Sequence, residues 1–401
     1  MNKGRQVKIF IITRSSKLTT RNFSPMAGIY IHIPFCKQAC HYCNFHFTTS
    51  LRNKDELVAA LVKEMELRKD YLKGETVETI YFGGGTPSLL EIADLRLQID
   101  RIRSLYTVAV DVEITLEANP DDITEEKLQD WKEAGINRLS IGVQSFFEDD
   151  LLWMNRAHNA EQAIGNLQLA KKYFSNITAD LIYGTPGLSN EKWKQNVDTM
   201  MASGIPHLSC YALTVEPKTP LHKMIREHRS ADINPDIQSE QFLLLMQWME
   251  KAGYEHYEIS NFAKPASPAG RPGFRSRHNS AYWAGTSYLG LGPSAHSFDG
   301  KSRQWNISNN QVYMESISNN KVPFEKEILT ETQKLNEYIM TSLRTMEGLD
   351  LCKVSESASH ELRAASRTYI ERGLIKLERN SLILTQEGKL LADGIASDLF
   401  V

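Results

Sequence analysis

The sequence predicts an α/β fold built on a parallel sheet and followed by a small winged-helix-like module. Three observations carry this. From Gly28 onward, short apolar strands alternate with amphipathic helical stretches. Strand onsets recur about every thirty residues, the size of a βα unit with its crossover. After Pro323 the pattern changes to compact helices and a short hairpin. Repeated βα units imply a parallel sheet, either doubly wound or barrel-like, and in both the chemistry sits at the carboxyl ends of the strands.

Strands are expected at Gly28–Ile33, Thr79–Phe82, Val112–Glu117, Arg138–Val143, Ala179–Tyr183, His207–Leu213 and Glu255–Asn261. Helices are expected at Asp55–Leu72, Glu125–Ala134, Ala160–Tyr173, Glu191–Ser203 and Ile237–Lys251. Several strands run into Gly or Pro, as in Gly83-Gly84-Gly85, Asn119-Pro120 and Gly184-Thr185-Pro186, the punctuation of loops at a sheet's active end. The stretch 264–277 carries Pro, Gly and four positive charges with no negative one, and reads as a mobile loop. Beyond it, helices over Thr330–Met346 and His360–Arg372 precede a hairpin of Leu374–Leu377 and Leu382–Thr385. The domains read from this are a basic extension at 1–25, a main domain at 26–322 and a winged-helix-like domain at 323–401.

The 401 residues, 41% hydrophobic and 24% charged, exclude a mostly disordered chain. No window approaches the roughly 18 consecutive apolar residues of a membrane-spanning helix. A net charge of −3 argues against non-specific nucleic-acid binding over the whole surface. Residues 1–25 hold six basic residues and no acidic one, a composition shared by organelle-targeting peptides and by upstream extensions; the extension, with a native start at Met26, is the preferred reading. Five cysteines is an odd count, which points away from a secreted disulfide framework and towards a reducing, cytoplasmic setting. Cys210 and Cys352 stand alone and are expected to be small buried apolar residues.

The other three cysteines crowd into Cys36-Lys-Gln-Ala-Cys40-His-Tyr-Cys43, directly after the strand IYIHIPF. A zinc site wants four ligands, usually in paired sets, so His41 or His46 would have to complete it. A redox dithiol wants an isolated C-x-x-C. Three close thiolates suit three corners of a [4Fe–4S] cubane and leave the fourth iron open.

With Tyr30-Ile-His-Ile-Pro-Phe leading into Cys36 through Cys43, the chain resembles the radical S-adenosylmethionine enzymes from about Gly28 to the C-terminus. The resemblance implies a partial (β/α)6-type barrel with the small C-terminal domain. It implies a cluster on Cys36, Cys40 and Cys43 whose open iron is chelated by S-adenosylmethionine. Carried over residue by residue, it implies that Tyr30, Gly84, Gly85, Thr86, Glu117, Gln144, Arg156, Asp180 and Ala212 bind S-adenosylmethionine. The Gly290–Ser297 stretch would close with Ala212 around the adenine. On their own terms, small Gly84 and Gly85 admit close backbone approach. Arg156 offers a carboxylate partner, and Glu117 and Asp180 are strand-end acceptors.

Within that family the resemblance is strongest to the branch holding oxygen-independent coproporphyrinogen III oxidases and heme chaperones. The oxidases carry a cysteine two residues after the last cluster cysteine, where this chain has Phe45. They also carry a long N-terminal segment over the active site, unlike the residues before β-strand Gly28–Ile33 here. His278-Asn279-Ser-Ala-Tyr282-Trp283 matches the HNxxYW motif of the chaperones. A neutral imidazole can ligate heme iron and aromatic faces can cover a porphyrin. The resemblance thus implies heme at His278, Asn279, Tyr282 and Trp283, with His296 as an alternative axial ligand; Arg271, Arg275 and Arg277 are expected to pair with the heme propionates.

The leading reading is a chaperone that binds heme, a cluster and S-adenosylmethionine and passes heme to acceptors such as respiratory enzymes, with an electron donor for the cluster. Ligand exchange at iron requires no radical, so whether the chain is an enzyme stays open. The alternative is the porphyrinogen decarboxylase. A third class, a winged-helix nucleic-acid binder, is disfavoured because residues 360–380 mix Arg and Lys with Glu361, Glu371 and Glu378. No nucleic acid and no stable membrane insertion are expected, and the oligomeric state is left open.

Overall fold

The computed structural model describes residues 26–267, 270 and 273–401. The basic extension at 1–25 and Arg271 lie outside the described residues, as does part of the loop at 264–277. Strand β1 (Met26–Ile33) leads through α1 (Lys54–Leu67), β2 (Thr76–Gly84), α2 (Ile92–Leu105), β3 (Val108–Ala118), α3 (Glu125–Glu133), β4 (Arg138–Gln144), α4 (Glu148–Trp153), α5 (Ala160–Tyr173), β5 (Ile177–Tyr183) and α6 (Asn190–Ala202) to β6 (His207–Ala212). These six strands pair in parallel and in sequence order.

Their sequences explain both faces. Parallel strands buried on both sides usually read as continuous apolar runs. Here IYIHI, TIYFG, EITLE and RLSIG alternate. Ile29, Ile31, Ile33, Ile80, Phe82 and Ile114 form the fully buried face in the main hydrophobic core. Each such side chain contributes roughly 1.5–3 kcal/mol on burial. The intervening polar residues turn to the concave side and give the half-barrel a polar lumen.

After β6 come α7 (Pro220–Arg226), α8 (Pro235–Lys251), β7 (Glu255–Glu258) and β8 (Asn261–Ala263). The single strand expected at Glu255–Asn261 is a hairpin instead: β7 and β8 pair antiparallel, and β8 runs antiparallel to β6. The chain then crosses back through α9 (Arg277–Trp283) to the opposite edge, where β9 (Ser287–Leu291) lies parallel to β1. Strands β10 (His296–Phe298), β11 (Ser302–Asn306) and, past α10 (Asn310–Ser318), β12 (Phe324–Ile328) extend that edge antiparallel. The result is one open sheet of twelve strands, ordered β12-β11-β10-β9-β1-β2-β3-β4-β5-β6-β8-β7.

Helix α11 (Glu331–Leu343), β13 (Leu349–Asp350), α12 (Glu356–Ala365), α13 (Arg367–Glu371), β14 (Ile375–Glu378), β15 (Ser381–Leu384), α14 (Gln386–Lys389) and α15 (Ala392–Asp398) complete the chain. They hold a three-stranded sheet and a second core that includes Ile339, Leu362, Ile375, Leu382 and Ile395. Strand β12, beyond residue 322, still belongs to the large sheet. Cys210 is buried as expected, whereas Cys352 is exposed. In the single helical turn Leu351–Lys353, Leu351 takes the inward position and Cys352 points outward.

Candidate functional site

Two cavities meet in the concave face. The first, of about 430 Å3, lies at the carboxyl ends of the parallel strands. Cys36, Cys40 and Cys43 form one wall. Their loop is pinned by backbone bonds: Cys36 N–H donates to Thr48 O at 3.0 Å, His41 N–H to Met154 O at 3.1 Å, and Leu221 N–H to His41 O at 2.8 Å. Asn155 Nδ2 donates to Ala39 O at 2.7 Å. Burial pushes the Cys36 thiol up to about 11 and raises Cys43 for the same reason, so metal binding must displace protons. Arg156 Nη1 lies 3.4 Å from Cys40 Sγ and supplies a fixed positive charge beside the thiols. Each of the two histidines that could complete a zinc site has one ring nitrogen bonded: His41 Nδ1 with Trp153 O at 2.7 Å, and His46 Nε2 with Asn310 Oδ1 at 2.7 Å. Among the described residues no three His, Cys, Asp or Glu side chains converge as ligands of a single ion.

The opposite wall is made by strand ends. Glu117 at the end of β3 accepts Tyr81 O–H at 2.8 Å and Gly84 N–H at 3.1 Å; its burial raises its pKa. Gly84 has φ +106°, and a Cβ there would meet His32 Nδ1 at 2.4 Å, so only glycine fits. Gln144 is held at φ +70°, a strained conformation for a side-chain-bearing residue. Arg156 Nη2 donates to Asn119 Oδ1 at 2.7 Å and to Gly142 O at 2.8 Å. Asp180 is pushed up to about 7 by burial and by the nearby charge of Glu117. Its Oδ1 and the Nε of Arg156 are buried without a partner. A lining that holds Glu117, Gln144, Arg156 and Asp180 beside three thiols fits a polar, partly cationic ligand.

The second cavity, of about 540 Å3, lies beyond the cluster loop, and Asn44 and Phe45 line both. Its floor is the sheet face of β1, β9, β10 and β11. Register aligns Gly28 with Tyr288, Tyr288 with Phe298, and Phe298 with Arg303. One level up, Tyr30 aligns with Gly290, and His296 aligns with Trp305 across β10 and β11. Over Gly28 lies the His278 ring, 3.4 Å from where a Cβ would be. His278 Nδ1 is 2.8 Å from Thr79 Oγ1, and the ring stacks on Tyr81 at 4.9 Å. Burial drives its pKa down to about 4, so the imidazole is neutral.

Helix α9 carries His278 and is anchored by a carboxylate inside the lumen. Glu113 Oε1 accepts the N–H groups of Arg277 at 3.0 Å and His278 at 3.2 Å. Its Oε2 faces Arg138 Nε at 3.7 Å, and both residues are buried. Anionic charge at a helix N-terminus is favourable, and here it also serves as counter-ion to Arg138.

The sequence-predicted residues therefore divide. Gly84, Gly85, Thr86, Glu117, Gln144, Arg156, Asp180 and Ala212 all line the first cavity with the three cysteines. Tyr30, expected there too, lines the second, with its hydroxyl 3.1 Å from His32 Nδ1. The Gly290–Ser297 stretch also belongs to the second cavity, through Ser294 and His296, because β9 and β10 lie on the far side of β1. Of the HNxxYW residues, His278 and Tyr282 line it. Asn279 N–H is capped by Ser276 Oγ, and Trp283 lies under Arg344 at 5.4 Å, facing the C-terminal module. Arg275 and Arg277 are not free for propionates. Arg275 pairs with Glu255 and Glu347, and Arg277 with Glu78 and Asp111. Sequence reasoning missed Tyr81, Asn119, Glu113 and Arg303. The first three were findable from strand parity and the Asn-Pro strand end. Arg303 lies in SRQWN, a strand too polar to be recognised.

Comparison with known proteins bears on both cavities at once. Residues 30–200, which contain the cluster loop and most of the first cavity, match the family model of the Radical SAM superfamily. Residues 329–391 match that of the HemN C-terminal domain. In solved structures, coproporphyrinogen III oxidase (HemN) from Escherichia coli superposes with a TM-score of 0.81 at 22% identity, covering 95% of this chain and 92% of that one, which shows a shared fold. Heme chaperone HemW of Mycobacterium tuberculosis is 32% identical over 97% of this chain and 100% of its own length. Heme chaperone HemW of Bacillus subtilis is 34% identical over 92% of this chain and 98% of its own length. That of Escherichia coli is 36% identical over 68% of this chain and 70% of its own. Identity at this level along essentially the whole chain places it: the protein belongs to the HemW family of the radical S-adenosylmethionine superfamily.

Proposed function

We propose that this protein is a heme chaperone: it binds heme in the second cavity, holds a [4Fe–4S] cluster on Cys36, Cys40 and Cys43 with S-adenosylmethionine beside it, and passes the heme to acceptor proteins. Family membership supports this reading, and the observation that carries it is the second cavity. It adjoins the cluster site through Asn44 and Phe45 but has its own aromatic floor and its own histidines. When bound on Cys36, Cys40 and Cys43, the cluster would supply an electron and an open coordination position for S-adenosylmethionine.

The chain's own residues do the rest. Thr79 Oγ1 engages His278 Nδ1 at 2.8 Å, and in the tautomer protonated at Nδ1 this leaves Nε2 as the ligand nitrogen for iron. Among the described residues His296, exposed in the same wall, has no hydrogen-bond partner and offers the alternative ligand. Tyr282 and Tyr288 present rings to a porphyrin face. At the first cavity, Asp180 and Glu117 provide acceptors for ribose or ammonium, and Arg156 a partner for the methionine carboxylate. Phe45, two-thirds exposed between the cavities, stands where the decarboxylases carry cysteine, and it offers no proton. Respiratory enzymes are the acceptor class proposed, with a separate electron donor and a cytoplasmic setting. Among the described residues no helix is long and apolar enough to cross a membrane.

The test is paired. Anaerobically reconstituted protein is titrated with heme while the Soret band is followed, then incubated with coproporphyrinogen III, S-adenosylmethionine and reductant. Stoichiometric heme binding without decarboxylation is expected. Loss of the Soret shift in His278→Ala with an intact cluster identifies the ligand. Turnover without tight heme binding overturns the reading in favour of the decarboxylase.

A further inference from the structure

We infer that Arg303 on β11 receives a propionate carboxylate of the bound porphyrin, and that Glu337 on α11 holds the guanidinium in place for it. This rests on the heme reading above and adds a recognition element to it. The basic loop at 264–277 cannot serve this role with Arg275 and Arg277, because both are spent on the acidic partners already named. Arg303, by contrast, lines the second cavity directly and, among the described residues, is the one arginine or lysine in its lining.

Its placement suits a ligand that carries metal at its centre and carboxylates at its rim. The register Gly28–Tyr288–Phe298–Arg303 puts the guanidinium on the same sheet face as the His278 ring, three strand spacings away, or about 14 Å at the backbone before the side chains lean in. Tyr288 lies between the two and lines the cavity, with the Phe298 ring behind it, tilted by 39°. Arg303 Nη2 is 3.0 Å from Glu337 Oε2, with both side chains partly exposed at 35% and 22%. That contact uses one edge of the guanidinium. A planar group with five donors keeps others for a second carboxylate. Among the described residues Arg303 makes no other ion pair. Glu337 belongs to the C-terminal module, so that module would orient the residue that recognises the cargo.

The chemistry recognised is a carboxylate on a porphyrin rim, and esterification removes it without changing the macrocycle. Heme and heme dimethyl ester are titrated separately into the reconstituted full chain and into Arg303→Gln, Arg303→Lys and Glu337→Gln. A charge-assisted pair of this kind is worth about tenfold or more in affinity. Wild type is expected to bind heme about tenfold more tightly than the ester. Arg303→Gln is expected to bind both alike at the ester's level, and Arg303→Lys to recover part of the difference. Glu337→Gln is expected to narrow it. Equal wild-type affinity for heme and ester, or unchanged discrimination in Arg303→Gln, overturns the assignment while leaving the heme site standing. Should Arg303→Gln fail to fold, the wild-type comparison alone decides. Wild-type protein that binds neither ligand overturns the heme reading itself.

Discussion

Glu113→Gln is the perturbation with the sharpest expected consequence. The carboxylate is buried and serves two partners that cannot replace it: the amino end of α9 and the guanidinium of Arg138. The amide keeps the size and an acceptor oxygen but loses the charge. Arg138, 1% exposed, then loses the one carboxylate that pairs with it among the described residues. Breaking a buried pair from one side costs about 3–5 kcal/mol. Loss of the charge at the helix end adds roughly 0.3–1 kcal/mol, within the uncertainty of the first figure. The folded-to-unfolded ratio should fall by a factor on the order of 10² to 10⁴. Urea unfolding followed by far-ultraviolet circular dichroism measures this directly. The control is Glu113→Leu with Arg138→Met, which removes both charges and should recover most of the stability. It should not recover heme affinity, because α9 and His278 stay unanchored. A loss below about 1 kcal/mol in the single variant, or a double variant no better than the single, would refute the view that Glu113 is both counter-ion and anchor.

Three further outcomes are expected. Replacing Cys36, Cys40 or Cys43 singly by Ala should abolish the brown iron–sulfur absorbance after anaerobic reconstitution; full iron and sulfide content in any of them counts against the cluster assignment. Gly84→Ala should weaken S-adenosylmethionine binding by about tenfold or more in a dialysis assay, since the new methyl must displace the His32 ring from 2.4 Å. An unchanged affinity would show that the strand end can give. Lys389, buried against His256 at the contact between the two modules, has its pKa lowered to about 8 by burial. Between that value and about 10.5 the unfolded chain holds the proton that the folded one has lost, so stability should rise with pH across this window. Lys389→Met should be roughly 2–3 kcal/mol more stable at pH 7 and lack the rise; equal slopes in the two proteins exclude this cause.

The legible parts of this protein were those in which local pattern and chemistry coincide. The C-x₃-C-x₂-C spacing, the glycines after β2 and the strand-end acids identified the first cavity, because a parallel sheet brings its carboxyl ends together whatever the helices do. Helix α5 starts and ends where its periodicity and its Asn159 capping box place it. What was not legible depends on chain crossings. Nothing local says that the segment after α9 returns to β1, so it was not legible that Tyr30 and the Gly290–Ser297 stretch line the second cavity. Helix α2 was not among the helices expected, although it buries Leu95, Ile99 and Ile102. Arg275 and Arg277 looked available because their acidic partners are supplied by β2, β3 and β7 and by Glu347, far apart in sequence.

The partition formed by Asn44 and Phe45 has a thermodynamic consequence. These residues directly follow Cys43, so the cluster's own ligand loop is the shared wall. A ligand of the three thiols that tightened this wall would favour a ligand in the far cavity, and by reciprocity the far ligand would favour its retention by the same factor.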